Sequence, residues 1–155
     1  MSFVRRFSTC LAACLTLAST VSANIYVVDQ NNNRIQKLGD NGAHLGNWGS
    51  TGTGKGQFQG PSGIAIDALG YLYVADTQNN RIQKFDRNGA FVTKWGSGGS
   101  GNGQFSRPVG IATDAQYVYV TDQWYRVQKF DHNGNFVAKW GSVGSANGQF
   151  YGAAG

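Results

Sequence analysis

Three Asp–Arg pairs stand out as the groups best spaced for chemistry: Asp29 with Arg34, Asp76 with Arg81, and Asp122 with Arg126. The middle pair lies in YVADTQNNRIQKFDRNGAFVTKW (73–95), where an Asp, an Arg, two Lys, a run of amides and a Trp crowd together. A carboxylate facing a guanidinium across a short link forms a strong charge-assisted pair. Yet YVVDQNNNRIQKL starts at Tyr26 and YVTDQWYRVQKF at Tyr119, so the same set occurs in every copy of a repeat. Folds repeat scaffold and carry sites singly. The three pairs are therefore expected to brace turns rather than to react.

Other groups offer little for catalysis. The two histidines, His44 and His132, each lie beside an Asn-Gly pair at the same end of the repeat. The sequence lacks G-x-S-x-G, H-E-x-x-H, a Walker loop and a Cys–His pair. GSTGTGKGQ and GSGGSGNGQ resemble phosphate loops in composition, but no helix follows whose N-terminus would hold an anion. No catalytic residue, metal ligand or cofactor is expected, and the chain reads as a non-enzyme.

Function is then sought where the copies differ. The link after the Asp reads QNNN and TQNN in the first two copies but shortens to Gln123-Trp124-Tyr125 in the third. Gln59-Gly60 corresponds to Ser106-Arg107. Arg107, Trp124 and Tyr125, with Lys55 in a neighbouring loop, are the candidate ligand-binding residues. An aromatic pair beside a cation suits stacking on a sugar, anchoring a peptide or holding an anionic group. The competing reading is that Trp124 simply covers a loop or an edge.

The elements that must position these residues follow from the repeat. Tyr26, Tyr73 and Tyr119 begin the YV-D motif, Trp48, Trp95 and Trp140 the W-G-S motif, and Phe58, Phe105 and Phe150 end the G-Q-F motif. All three markers recur at intervals of about 45 residues, the length of a four-stranded blade. Within one unit, 63–67, 72–76, 81–85 and 90–95 read as strands a, b, c and d, separated by ALGY, TQNN and DRNG. Asn41-Gly42, Asn88-Gly89 and Asn133-Gly134 read as two-residue hairpins between c and d. The Trp residues are expected between blades and the Phe residues in the linking loops. The fold class is all-β: β-propeller blades of four antiparallel strands.

PSGIAIDALGYLYVADTQNNRIQKFD and PVGIATD…YVYVTDQWYRVQKFD resemble NHL repeats, whose blades carry Pro-x-Gly-Ile-Ala, Val-Ala-Asp and Asn-x-Arg-Ile. The resemblance covers most of residues 24–150. It implies a propeller, usually of six blades, that serves mainly as a binding platform. It also implies a runner-up function. Some secreted relatives are peptidyl-amidoglycolate or streptogramin lyases with axial metal and His residues, and this chain would be a lyase fragment without its metal-binding blades. No matching His cluster is present in the sequence.

Blade one spans 24–49 without a strand a, blade two 60–96, blade three 107–141, and 142–155 is the start of a further blade. The eleven strands so counted make an open arc. An incomplete propeller, two chains associating head-to-tail, and a stable three-blade arc all fit this pattern. In the paired arrangement, 151–155 of one chain would complete blade one of the other.

Composition agrees with short strands and tight turns: Gly is abundant at 23 residues, charged residues make up only 14%, and Glu is absent. Arg5 and Arg6 precede the apolar run FSTCLAACLTLASTV and the small-residue site Val21-Ser22-Ala23, the pattern of a secretory signal peptide over 1–23. The run is too short and too rich in Ser and Thr to span a bilayer, so no transmembrane segment is expected. Secretion to an extracellular or periplasmic space is expected. Leu11-Ala12-Ala13-Cys14 also resembles a lipobox, with a lipid anchor at Cys14 the alternative. Both cysteines lie in this segment, and its removal leaves 11 basic residues against 8 acidic ones. A surplus of about +3 is too mild to argue for nucleic acid. The expected partner is a protein, peptide or glycan.

Overall fold

The computed structural model describes residues 24–152, together with the backbone of Arg6–Phe7 and Leu11–Leu15. Strands are numbered along the chain: β1 Arg6–Phe7, β2 Leu11–Leu15, β3 Ile25–Asp29, β4 Arg34–Leu38, β5 His44–Trp48, β6 Ile64–Ile66, β7 Leu72–Asp76, β8 Arg81–Phe85, β9 Phe91–Trp95, β10 Ile111–Thr113, β11 Tyr117–Asp122, β12 Arg126–Asp131 and β13 Phe136–Trp140. They form three antiparallel sheets, β1-β2-β3-β4-β5, β6-β7-β8-β9 and β10-β11-β12-β13. These are the expected blades, and β3–β13 are the eleven strands read over 24–155. The fold is all-β and propeller-like. Among the described residues, no helix is long and apolar enough to cross a membrane.

One expectation changes. The strand a position of blade one, read as empty, is paired: Ala13, Cys14 and Leu15 lie opposite Val27, Tyr26 and Ile25. An edge strand presents unpaired N–H and C=O groups, and an extended segment beside it satisfies them. The signal reading of 1–23 rests on the same residues, and the described backbone does not bear on whether they are removed.

The c–d turns also differ from the reading. Gly89 N–H donates to Asp86 O (3.0 Å) and Asp86 N–H to Ala90 O (2.9 Å), while the Asp86 carboxylate accepts from the N–H groups of Asn88 and Ala90. Gly89 is left-handed at φ +86° and the ladder shifts register between Lys84 and Phe85. This is a longer turn closed by a glycine bulge, not a two-residue hairpin. An Asp one turn earlier stabilises it by accepting backbone donors, which a dipeptide signal does not reveal.

The core lies between blades. Tyr26, Val28 and Ile35 of blade one pack against Ile64, Leu72, Val74 and Phe85 of blade two, with Phe58 from the linking loop. Tyr73, Ala75 and Ile82 pack in the same way against Val118, Val120 and Phe130, with Phe105. Alternation puts successive residues of a strand on opposite faces, so β7 serves both cores and is buried throughout. β11, with a neighbour on one face only, alternates between buried and half-buried.

Polar groups repeat as regularly. The Tyr73 hydroxyl donates to Asp67 (2.9 Å), and burial, reinforced by that acid, pushes the phenol well above its usual range. Lys84 lies 4.2 Å from the centre of the Tyr71 ring, and burial lowers its ammonium below the ordinary value. Its Nζ donates to His132 O of blade three (3.0 Å). His132 Nδ1 lies 3.5 Å from Asp67, so this histidine sits in the joint between blades.

Candidate functional site

The Asp–Arg pairs form as ion pairs, and their burial sets their role. Arg81 Nε donates to Asp76 (2.7 Å), while its terminal nitrogens donate to the carbonyls of Thr53, Gly54 and Gln57. Arg126 makes the corresponding bonds to Asp122 and to Ser100, Gly101 and Gln104. Gln83 and Gln128 support the same loops through Gln57 O and Gln104 O. Each guanidinium thus clamps the loop arriving from the preceding blade, a role beyond bracing its own turn. Arg34 donates to Asp29 (2.8 Å), which also accepts from Asn32 and Gln36, and this pair is more exposed than the other two. The Arg34 hydrogen bond, followed by that of Asn32, holds the Asp29 carboxyl below the usual range.

The link between strands b and c has two forms. In blades one and two it is a 3-10 turn, Gln30–Asn32 or Thr77–Asn79, closed by a left-handed Asn33 (φ 51°) or Asn80 (φ 52°). The side chain of that Asn accepts a backbone N–H from the start of the next blade: Gly60 N–H to Asn33 Oδ1 (2.8 Å) and Arg107 N–H to Asn80 Oδ1 (2.7 Å). Asn adopts this conformation more readily than other residues with a side chain. In blade three Tyr125 takes the left-handed position at φ 55° and stacks on Tyr151, ring centres 5.8 Å apart and 10° from parallel. Arg107 is also left-handed, at φ 49°, where Gly60 and Gly152 occupy the corresponding positions.

The shortened link explains how Arg107 fits. A Cβ on Gly60 would lie 2.6 Å from the Gln78 amide, so a side chain there requires that amide to swing aside. One residue fewer removes the obstruction and leaves only the cost of the backbone conformation, about 1–2 kcal/mol. Arg107 and Tyr125 are thus two strained residues at one end of blade three. Strain held by surrounding structure concentrates at functional sites.

Trp124 is 52% exposed. It lines, with Tyr125, Lys139, Trp140 and Val143, a cleft of about 490 Å³ on the outer side of blade three. Trp124 and Tyr125 are brought together, but Arg107 and Lys55 do not line that cleft. Arg107 is exposed where the chain enters blade three, next to Ser106, whose carbonyl accepts Gln123 N–H (2.8 Å). Lys55 rests over the Phe91 ring of blade two, 5.7 Å from its centre. The cation of the cleft is Lys139, which escaped the sequence reading because Lys94 occupies the same place in blade two and the residue looked like scaffold. Among the described residues no group of three or more His, Cys, Asp or Glu side chains is arranged to hold a metal.

Residues 58–85 match the NHL repeat family model. Among curated proteins none matches this sequence. Solved structures share the fold at low identity. Virginiamycin B lyase from Staphylococcus aureus, as selenomethionine-substituted protein, is 17% identical with a TM-score of 0.61, over 90% of this chain and 51% of that one. The RRP9 WD40 repeats are 16% identical with a TM-score of 0.65, over 89% and 41%. A nidogen/laminin complex structure is 18% identical with a TM-score of 0.57, over 75% and 42%. The chain spans about half or less of each, and the likeness carries the fold alone. Residues 58–85 thus form an NHL repeat within a propeller-like chain whose other blades are built in the same way.

Proposed function

We propose that this chain is an exported, non-catalytic binding module that takes a peptide, protein or glycan at the outer end of blade three. The observation that carries the reading is the Gln123–Tyr125 link. There an exposed Trp124 and a left-handed Tyr125 replace the amide turn used elsewhere, beside a cleft that also holds Lys139. A flat aromatic surface next to an exposed cation supports stacking plus one charged or hydroxyl contact. Export rests on the 1–23 segment, whose removal would also withdraw β2 from the edge of β3.

Glycan and peptide arrays probed with the purified chain test this reading. For any ligand found, Trp124→Ala is expected to weaken binding by tenfold or more, the scale of an aromatic hot spot. Unchanged affinity in both Trp124→Ala and Tyr125→Asn would reject the site. The likeness to virginiamycin B lyase favours a second reading, part of a lyase-type propeller. Bound Zn or Ca together with turnover would move the assignment there.

A further inference from the structure

The shortened link of blade three changes what the buried carboxylate before it holds. In blades one and two the amide of Asn32 or Asn79 donates to both oxygens of Asp29 (3.0 and 3.0 Å) or Asp76 (3.1 and 2.9 Å). The link Gln123-Trp124-Tyr125 contains no Asn. Its turn opens on the acid itself: Tyr125 N–H donates to Asp122 O (3.1 Å), whereas Asn80 N–H reaches Thr77 O (3.2 Å) in blade two. This tighter turn brings the Trp124 N–H to Asp122 Oδ1 (3.1 Å). An Asp side chain that accepts a backbone donor two residues on fixes the local chain.

The guanidinium is turned as well. Arg81 meets Asp76 through Nε (2.7 Å), whereas Arg126 reaches both Asp122 oxygens through Nε (3.3 and 3.2 Å) and adds Nη2 at 3.1 Å. Asp122 Oδ2 also accepts the N–H of Ser106 (3.3 Å), the residue before Arg107. One buried carboxylate thus holds the exposed Trp124 and the entry of the chain into blade three. Through Arg126 it also holds the carbonyls of Ser100, Gly101 and Gln104. Ser100 and Arg126 line the cleft together with Trp124, so the clamp between blades two and three forms part of the cleft wall.

We propose that Asp122 is the positioning residue of the ligand-binding cleft: its carboxylate fixes the backbone of Trp124 and so the orientation in which the indole meets a ligand. This rests on the reading of the Gln123–Tyr125 link as a binding site. A backbone N–H on an ionised, ion-paired carboxylate makes a charge-assisted bond, stronger than one between neutral groups. Side chains that bind need such a supporting layer, because an aromatic that must be immobilised when the ligand arrives binds more weakly. Asp76 has the same Arg partner and the same kind of loop, but it holds an Asn side chain, and its link carries Gln78 where blade three carries Trp124. Loss of one residue therefore converts a scaffold carboxylate into one that also serves the site.

Amide hydrogen exchange at Trp124, followed by NMR on the full 155-residue chain without ligand, tests the proposal. Inserting an Asn between Trp124 and Tyr125 restores the four-residue link, and Arg107→Gly in the same chain makes room for it, as Gly60 does for Gln78. That variant should speed exchange at the Trp124 N–H by about tenfold, the scale of one lost hydrogen bond, while Arg107→Gly alone leaves it protected. Asp122→Asn, whose amide has one acceptor oxygen for Arg126 and Trp124 to share, should speed it as well, a readout that does not depend on the insertion folding. Asp76→Asn breaks the matching clamp of blade two and should leave Trp124 protected, so a general loss of stability is told apart from release of this bond. On the glycan and peptide arrays, Asp122→Asn should weaken a Trp124-dependent ligand by about tenfold and Asp76→Asn should not. Trp124 protection that is unchanged in Asp122→Asn and in the insertion, or lost equally in Asp76→Asn, would overturn the proposal. Binding that Trp124→Ala leaves unchanged would instead reject the cleft as the site, and with it the role of Asp122 there, whatever the exchange shows.

Discussion

Replacing Arg107 by Gly separates the demands of folding from those of binding at a single residue. Arg107 holds φ 49°, while the corresponding Gly60 and Gly152 sit at φ 55° and 79°. Its only hydrogen bond among the described residues runs from its backbone N–H to Asn80, and glycine keeps that donor. Relief of the left-handed backbone is worth about 1–2 kcal/mol. The extra freedom that glycine gives the unfolded chain costs about 0.4–1 kcal/mol. The balance is a net stabilisation of about 0.5–1 kcal/mol, or a rise of roughly 2–5 °C in Tm for a domain of this size. Urea and thermal melts of Arg107→Gly against wild type read this directly, and binding on the same arrays shows whether the guanidinium also serves a ligand. A loss of stability would refute the reasoning, because the Arg107 side chain would then be making contacts that outweigh its backbone strain.

Three other outcomes follow from burial and charge. Arg81→Ala strips a buried guanidinium from Asp76 and from three loop carbonyls, leaving a buried carboxylate behind, so a loss of about 3–5 kcal/mol is expected. Arg34→Ala removes a pair whose side chains are 36% and 19% exposed, so urea melts should show about 0–1 kcal/mol. Asp29 supplies a pH signature, because its carboxyl is held below the usual range by Arg34 and then Asn32. The unfolded chain therefore takes up this proton first as pH falls. The contribution of Asp29 is complete above the ordinary carboxylate value of about 3.9 and is lost as pH drops through the lower folded value. Denaturation midpoints followed from neutral into acid should fall less steeply in Asp29→Asn than in wild type.

Local chemistry made much of the fold legible from residue order. β7 and β8 run over 72–76 and 81–85 as read, because apolar alternation and the flanking turn residues mark a strand wherever it packs. Strand a was read too long, as 63–67 rather than Ile64–Ile66, because Ser62 and Gly63 act before it: Ser62 N–H bonds Ala75 O, and Gly63 O accepts Ala75 N–H. The c–d turns of blades two and three use an Asp accepting donors two and four residues on, while in blade one Asn41 accepts from Ala43 instead, and an Asn-Gly pair alone encodes neither.

At the candidate site the sequence isolated Trp124, Tyr125 and Arg107 by their departure from the other copies, a comparison that needs no coordinates. It grouped Lys55 with them and passed over Lys139, because distance between loops of different blades is not written in any one repeat. The sequence by itself determined the blade, its turns and the places where one copy departs from the rest, since these arise from contacts within one repeat. Only the tertiary structure decided that Arg81 reaches the loop of the preceding blade, that Arg107 and Tyr125 are strained, and that Trp140 is exposed while Trp95 is covered. Those properties depend on what lies against the outer face of a blade, and identical residues meet different neighbours in the middle of the arc and at its ends.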